Sequence, residues 1–280
     1  MRDSVTQAPR VFFHTPGTKA SLAKNAAHQF AQRHALVHYA SGAIFSFVPK
    51  NACTSLRTSL ALANGAIGDV VDWNWVHKNN DTFSADLREL ITASSTTILL
   101  RCPHKRLAST FLDKIVSRSG QLRLLRRRSP GTIDPDQFTF RQFVDHLTRR
   151  RFLRLDIHWR PQVDFFAYRN YDHVFGMHEV AAFADHFERL TGQPFADSRS
   201  FSGHVTSSYD AVPGALHADT PLSDLTKLKA EGKLPTPPSL FDDALTAQVA
   251  TLYARDLTLY RTLLGRDGLL FPDVSPETAP

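Results

Sequence analysis

Cysteine is almost absent: the 280 residues contain only Cys53 and Cys102, so no disulfide framework can hold the fold together. Long apolar runs are absent as well. No stretch is long enough to span a bilayer, and the opening Met1-Arg-Asp-Ser-Val-Thr lacks the charged and then apolar profile of a secretory leader. Both absences lead to the expectation of a chain without a membrane anchor, folding in a reducing cytoplasm. There is no internal repeat, and no ordered His/Cys/Asp cluster that would call for a metal.

What is present is an ordinary globular composition, 42% hydrophobic and long enough to bury a large core. The formal net charge of +6 and the pI near 9.5 favour anionic ligands. Such a balance alone would suit nucleic acid equally.

The most informative stretch is Ile44-Phe-Ser-Phe-Val-Pro-Lys-Asn-Ala-Cys-Thr-Ser-Leu-Arg57. Ile44 to Val48 reads as a short buried strand, rich in β-branched and aromatic side chains. Thr54 or Ser55 then opens a helix whose Leu56, Leu60 and Leu62 face inward, with Asn64-Gly65 as its stop. A strand, a tight turn and a helix start present unpaired backbone N–H groups and the positive end of the helix dipole, which suits a phosphate-like group. The turn contains no glycine and its lysine comes first, so it departs from the Gly-x-x-x-x-Gly-Lys-Ser/Thr loop of triphosphate-binding kinases.

A second strand, Thr97 to Arg101, hands over at Cys102-Pro103 to a helix through Leu107, Phe111 and Ile115. Arg101 stands at that junction and Ser109 lies further along the helix, so a guanidinium and a hydroxyl can converge on one phosphate. Strand, helix, strand, helix order implies right-handed parallel crossovers and places both motifs at the carboxyl ends of neighbouring strands. Further on, Ser84 is expected to cap a short helix through Leu87 and Ile91, and Thr139 with Gln142 to form a capping box. Val174-Phe175 reads as a strand, Val180 to Leu190 as a helix stopped at Gly192, and residues 242–264 as one last helix.

Pro49-Lys-x-Ala-Cys-Thr-Ser55 resembles the 5′-phosphosulfate loop of sulfotransferases that use 3′-phosphoadenosine 5′-phosphosulfate (PAPS). The similarity is to the carbohydrate branch, sulfotransferase family 2, which includes the chondroitin 4-O and HNK-1 enzymes. Arg101, Pro103, Arg106, Leu107 and Ser109 match that family's 3′-phosphate motif, with Cys102 in place of its usual acidic residue. Asp156-Ile-His-Trp-Arg-Pro-Gln162 and Tyr171 to Glu179 are similar to two later blocks of the family. Phe165, Phe166 and Ala167 stand where it usually carries cysteines. Ser207-Ser208-Tyr209 and Leu252 to Tyr260 are weaker echoes of its final nucleotide loop and last helix. Animal relatives are anchored Golgi proteins, so the unanchored chain is expected to be a bacterial, cytoplasmic member.

The resemblance implies an α/β fold with a three-layer, P-loop-like (nucleotide-kinase-like) core, a parallel sheet and a helical C-terminal half. It implies one domain over 1–280, with a lead-in at 1–40, a nucleotide-binding half at 41–118, a basic loop at 119–137, a helical half at 138–270 and a tail at 271–280. PAPS is the implied co-substrate, with no metal. Its binding residues are expected at Pro49, Lys50, Asn51, Ala52, Cys53, Thr54, Ser55 and Arg57, and at Arg101, Ser109 and Ser208. The acceptor is expected to be a hydroxyl of a carbohydrate or other glycoconjugate, with no specific nucleic-acid partner.

Sulfuryl transfer builds charge on the leaving phosphate oxygen, which an ammonium at Lys50 stabilises. It also needs a base for the acceptor hydroxyl, and histidine suits that work near neutrality. Among 13 histidines the candidates are His77, between the two phosphate motifs, and His158 in His-Trp-x-Pro, where a packed corner is the competing reading. Two other functions stay open at this level. A P-loop-like small-molecule kinase would need Mg²⁺ and a glycine pattern that is missing. A non-catalytic polyanion-binding module would show steep salt dependence and no choice between nucleotides.

Overall fold

The computed structural model describes residues 9–200, 209–212 and 214–275. The lead-in holds helix α1 (Ala26–Arg33) and an unforeseen strand β1 (Ala35–His38). Next come β2 (Ala43–Ser46), α2 (Cys53–Ala63), the short helices α3 (Trp75–Lys78) and α4 (Leu87–Thr92), and β3 (Ser95–Leu100). Helix α5 (Pro103–Thr110) runs on into a π-helical turn at Phe111–Ile115, followed by α6 (Gly120–Arg128), α7 (Phe140–Thr148) and α8 (Arg150–Leu153). The chain closes with β4 (His173–Gly176), α9 (Val180–Thr191), β5 (Asp210–Val212), α10 (Leu222–Ala230), β6 (Lys233–Pro235), α11 (Asp243–Leu252) and α12 (Ala254–Leu264).

The central sheet has the order β1-β2-β3-β4. β2, β3 and β4 are parallel, and β1 pairs antiparallel with β2 at the edge. Every residue of β1, β2 and β3 is buried, so none shows the in–out alternation of a strand with one solvated face. Phe45 and Leu99 point to one face, where they meet Leu56 and Leu60 of α2 and Phe183 and Phe187 of α9. Ile98 and Leu100 point to the other, against Phe30 of α1 and Leu257 and Tyr260 of α12. Helix, sheet and helix make the expected three layers. A separate helical core joins α5, α6, α7, α10 and α11 around Phe111, Phe140, Phe143 and Trp159. The fold is thus mixed α/β with a mostly parallel sheet and a helix-rich second half.

Local signals explain most boundaries. Thr139 caps α7 and Gln142 returns the bond, as the capping box predicts. Gly192 ends α9 at φ 70°, a left-handed turn that glycine adopts without a Cβ clash. Three local expectations are corrected. The cap of α4 is Asp86, boxed with Glu89, because Ser84 instead bonds the Arg33 carbonyl. The basic stretch expected as loop contains α6, whose Leu122 and Leu125 are buried on one side while its arginines line the other. The last helix is two: α11 ends at Tyr253, where the backbone leaves helical geometry and the phenol hydroxyl donates to the Trp159 carbonyl at 2.5 Å. Among the described residues no helix is long and apolar enough to cross a membrane.

Candidate active site

The parallel pairing of β2 with β3 sets the site, because both strands end on the same edge of the sheet. From β2 the chain runs through Phe47 and Val48 into the turn Pro49–Ala52 and then α2. Lys50 and Ala52 both take left-handed backbone, at φ 72° and 51°. Non-glycine residues there cost about 1 kcal/mol each, strain of the kind that persists where the surroundings over-determine it. The surroundings are visible. Arg106 Nε donates to the Pro49 carbonyl at 2.9 Å, and Arg101 Nη1 donates to the Lys50 carbonyl at 2.8 Å. A carbonyl pulled one way turns the next amide the other way across the planar peptide. Helix α2 has no side-chain cap, the kind of helix start whose backbone amides can serve an anionic ligand.

The two phosphate motifs therefore touch. Asn51, buried, donates through Nδ2 to the Leu99 carbonyl at 2.9 Å and to Gln162 Oε1 at 2.8 Å. Its Oδ1 is buried without a partner, and so is Nη2 of Arg57, whose guanidinium lies over the Phe47 ring at 5.4 Å. Burial lowers the Arg57 pKa. Of the two orphaned atoms, only the Arg57 Nη2 is a donor, and an unpaired guanidinium N–H on α2 suits an anionic ligand. Ser55 accepts from the Ser198 amide and donates to its hydroxyl, so the segment after α9 covers one side of the turn. Cys53 and Thr54 are half-exposed at the first positions of α2. Ser109 is buried on α5. Ser208 lies outside the described residues.

Lys50 Nζ bonds Asp113 Oδ2 at 2.7 Å, and Lys114 reaches the same oxygen at 3.1 Å. Burial lowers the Lys50 pKa against the opposing pull of Asp113. Burial would raise the Asp113 carboxyl, but Lys50 and Lys114 prevail and hold it at about 2. Asp113 sits in the π-helical turn Phe111–Ile115 with Lys114 beside it, a local helix irregularity of the kind found at functional sites. Lys229 of α10 adds a third ammonium to the field of Asp113.

His158 lies in the same field, since Lys50 and Lys114 both depress its pKa. Its Nδ1 meets Asp156 Oδ1 at 2.6 Å, and its backbone amide bonds the same oxygen at 2.9 Å. Burial is the largest influence and lowers the imidazole pKa, while Asp156 raises it. The ring is thus fixed with Nδ1 on a carboxylate and Nε2 turned away, the arrangement of an oriented general base. His77 stands exposed at the end of α3, edge-on to Trp73 at 5.4 Å between ring centres.

Sequence reasoning left four residues of this site without a role. Asp113 lies in no recognisable signature, and only the π turn reveals it. Asp156 is two residues from His158, a spacing that signals a local carboxylate–imidazole pair. Gln162 accepts from the Arg101 amide at 3.1 Å and donates to the Arg101 carbonyl at 2.8 Å. Arg106, 2% exposed, also donates to the Arg160 and Ile157 carbonyls, tying the turn to the His158 loop. No group of three or more metal-ligating side chains occurs among the described residues.

A three-layer α/β protein with two strand–turn–helix units ending on one edge of a parallel sheet has its candidate site where such folds bind ligands. The chain belongs to the Sulfotransferase family, whose model matches residues 33–261 and so spans every element of this site from β1 to α12. Membership makes it a transferase of sulfuryl groups. No curated protein and no solved structure matches the chain.

Proposed function

We propose that the protein moves a sulfuryl group from PAPS to an acceptor hydroxyl, most naturally one on a carbohydrate or glycoconjugate. The single observation that carries this reading is the 2.8 Å bond from Arg101 to the Lys50 carbonyl. It joins the loop suited to a 5′-phosphosulfate to the arginine suited to a 3′-phosphate, which supports one site for both ends of the donor. The backbone amides at the start of α2, with Thr54, Ser55 and Arg57, would hold the phosphosulfate, and Arg101 with Ser109 the 3′-phosphate.

Chemistry follows from the fixed groups. His158 Nε2 takes the proton of the acceptor hydroxyl as its oxygen attacks sulfur in line. The sulfur–oxygen bond to the 5′-phosphate breaks, and its electron pair moves to the phosphate oxygen beside Lys50. Asp156 steadies the imidazolium that forms, and Lys50 exchanges part of its bond to Asp113 for the leaving oxygen. The products are a sulfate ester and adenosine 3′,5′-bisphosphate. His158 is preferred to His77 as the base because Asp156 holds its Nδ1 and it feels the Lys50 charge.

The test is to mix the protein with PAPS and a panel of sugar and phenol hydroxyls, following release of adenosine 3′,5′-bisphosphate. Acceptor-dependent release is expected, with none when ATP and Mg²⁺ replace PAPS. Phosphoryl transfer from ATP instead would establish the kinase reading.

A further inference from the structure

The buried carboxylate of Asp256, on the last helix, touches neither turn of the candidate cleft, yet it sits at the root of the hydrogen bonds that hold both. Asp256 is 3% exposed. Its Oδ2 accepts the Gln162 amide at 2.7 Å and its Oδ1 accepts the Val163 amide at 3.0 Å. These amides open the 3-10 turn Gln162–Phe165, so the carboxylate fixes the turn in place and, with it, the Gln162 side chain. That side chain makes three bonds: it accepts from Asn51 Nδ2 and the Arg101 amide, and donates to the Arg101 carbonyl. One residue thus pins the loop after β2 and the junction after β3 at once.

We propose that Asp256 is a positioning residue for the donor site: its ionised carboxylate, acting through Gln162, sets the spacing between the Lys50 turn and Arg101. The inference rests on the reading of that cleft as a nucleotide site. Physical chemistry gives it a direction. A carboxylate accepts two amides through two charged oxygens, whereas a protonated carboxyl is neutral and its hydroxyl oxygen is a poor acceptor, so one of the pair is weakened. The groups that face it are Arg106 from α5, Asp164 from the 3-10 turn, and Tyr253 from the joint before its own helix. Burial pushes the carboxyl up to about 6, while the two amides and Arg106 pull it down. Acidification through that range therefore loosens Gln162, and the nucleotide cleft loses its register.

Generic electrostatics predicts the opposite trend, because protonating any carboxylate makes a site more attractive to an anion. The two effects separate in calorimetric titrations of adenosine 3′,5′-bisphosphate from pH 8 to about pH 5, with wild type and Asp256→Asn compared at each pH. Comparing the two proteins cancels the protonation of the ligand itself. At pH 8 the variant is expected to bind about tenfold more weakly, the loss typical of one buried charged hydrogen bond. Near pH 5 the ratio should close toward unity as the wild-type carboxyl protonates. Gln162→Met keeps both bonds to Asp256 and removes only the side-chain amide, so it serves where Asp256→Asn folds poorly. It should bind weakly and show the same closing ratio.

A wild-type to variant ratio that stays constant with pH, in both variants, overturns the positioning role and leaves the nucleotide site standing. Tighter relative binding by wild type as the pH falls also overturns it. Failure of the wild type to bind the nucleotide at any pH overturns the site assignment, and this inference with it.

Discussion

At the residue scale the site depends on charges that are paired before any ligand arrives. Lys50 is held by Asp113, which Lys114 also contacts, so Lys50→Ala leaves no carboxylate stranded and the fold should tolerate it. Its effect should fall on the chemical step, with turnover of PAPS reduced about 10²–10³-fold, as for loss of one transition-state charge contact. Nucleotide affinity should change far less, and a loss confined to binding would remove Lys50 from catalysis. For His158 the sign of the pH dependence follows from its environment. Burial lowers its pKa, so the acid limb of kcat/KM should lie below the ordinary histidine value of about 6.5. Asp156 pulls that pKa up, so Asp156→Asn should move the limb lower still and reduce kcat. An acid limb unmoved by Asp156→Asn, or full activity in His158→Gln, would return the base to His77.

At the element scale two strand–turn–helix units do the positioning, and these were the most legible parts of the chain. Pro49-Lys50 after an apolar run and Arg101 before Pro103 carry their meaning locally, in turn chemistry and helix starts, and the structure puts both on one sheet edge. Elements whose identity depends on distant partners were not legible. β1 is only four residues long and is a strand because β2 pairs with it. β6 lies in a Gly- and Pro-rich segment that reads as loop and pairs with β5 through long-range contact. The π turn that delivers Asp113 has no sequence signature at all. The break between α11 and α12 is set by the Tyr253 bond to Trp159, nearly a hundred residues away in sequence. Where a signal is local it also predicts energetics. Thr139→Ala removes the bond to the Gln142 amide that caps α7 and should cost about 1 kcal/mol in urea unfolding. No measurable loss would show that the helical core around Phe143 carries α7 without its cap.

At the scale of the whole molecule, the buried histidines set the acid stability. His34, His104 and His186 are each held down to about 4, chiefly by burial. A histidine whose folded pKa lies below its unfolded value stabilises the fold when neutral, and that stability is lost as pH falls from about 6.5 toward 4. Asp256, raised to about 6, works in the opposite sense across part of the window, because the folded state holds its proton. His14, His28, His38 and His158 are lowered by burial as well, so histidines outweigh the one raised carboxylate, unfolding takes up protons, and stability should fall as the pH drops toward 5. Thermal melts between pH 7 and 5 should show the midpoint dropping, and a flat profile would mean these imidazoles stay exposed. The same packed core brings the loop after β2 and the junction after β3 into contact, and the proposed function has them hold opposite ends of one nucleotide. Calorimetric titration with adenosine 3′,5′-bisphosphate, its 2′,5′ isomer and ATP tests that claim most directly, using wild type and Arg101→Ala. Wild type should prefer the 3′,5′ compound and Arg101→Ala should lose that preference; equal binding of the isomers by wild type, or an unchanged preference in the variant, would contradict it.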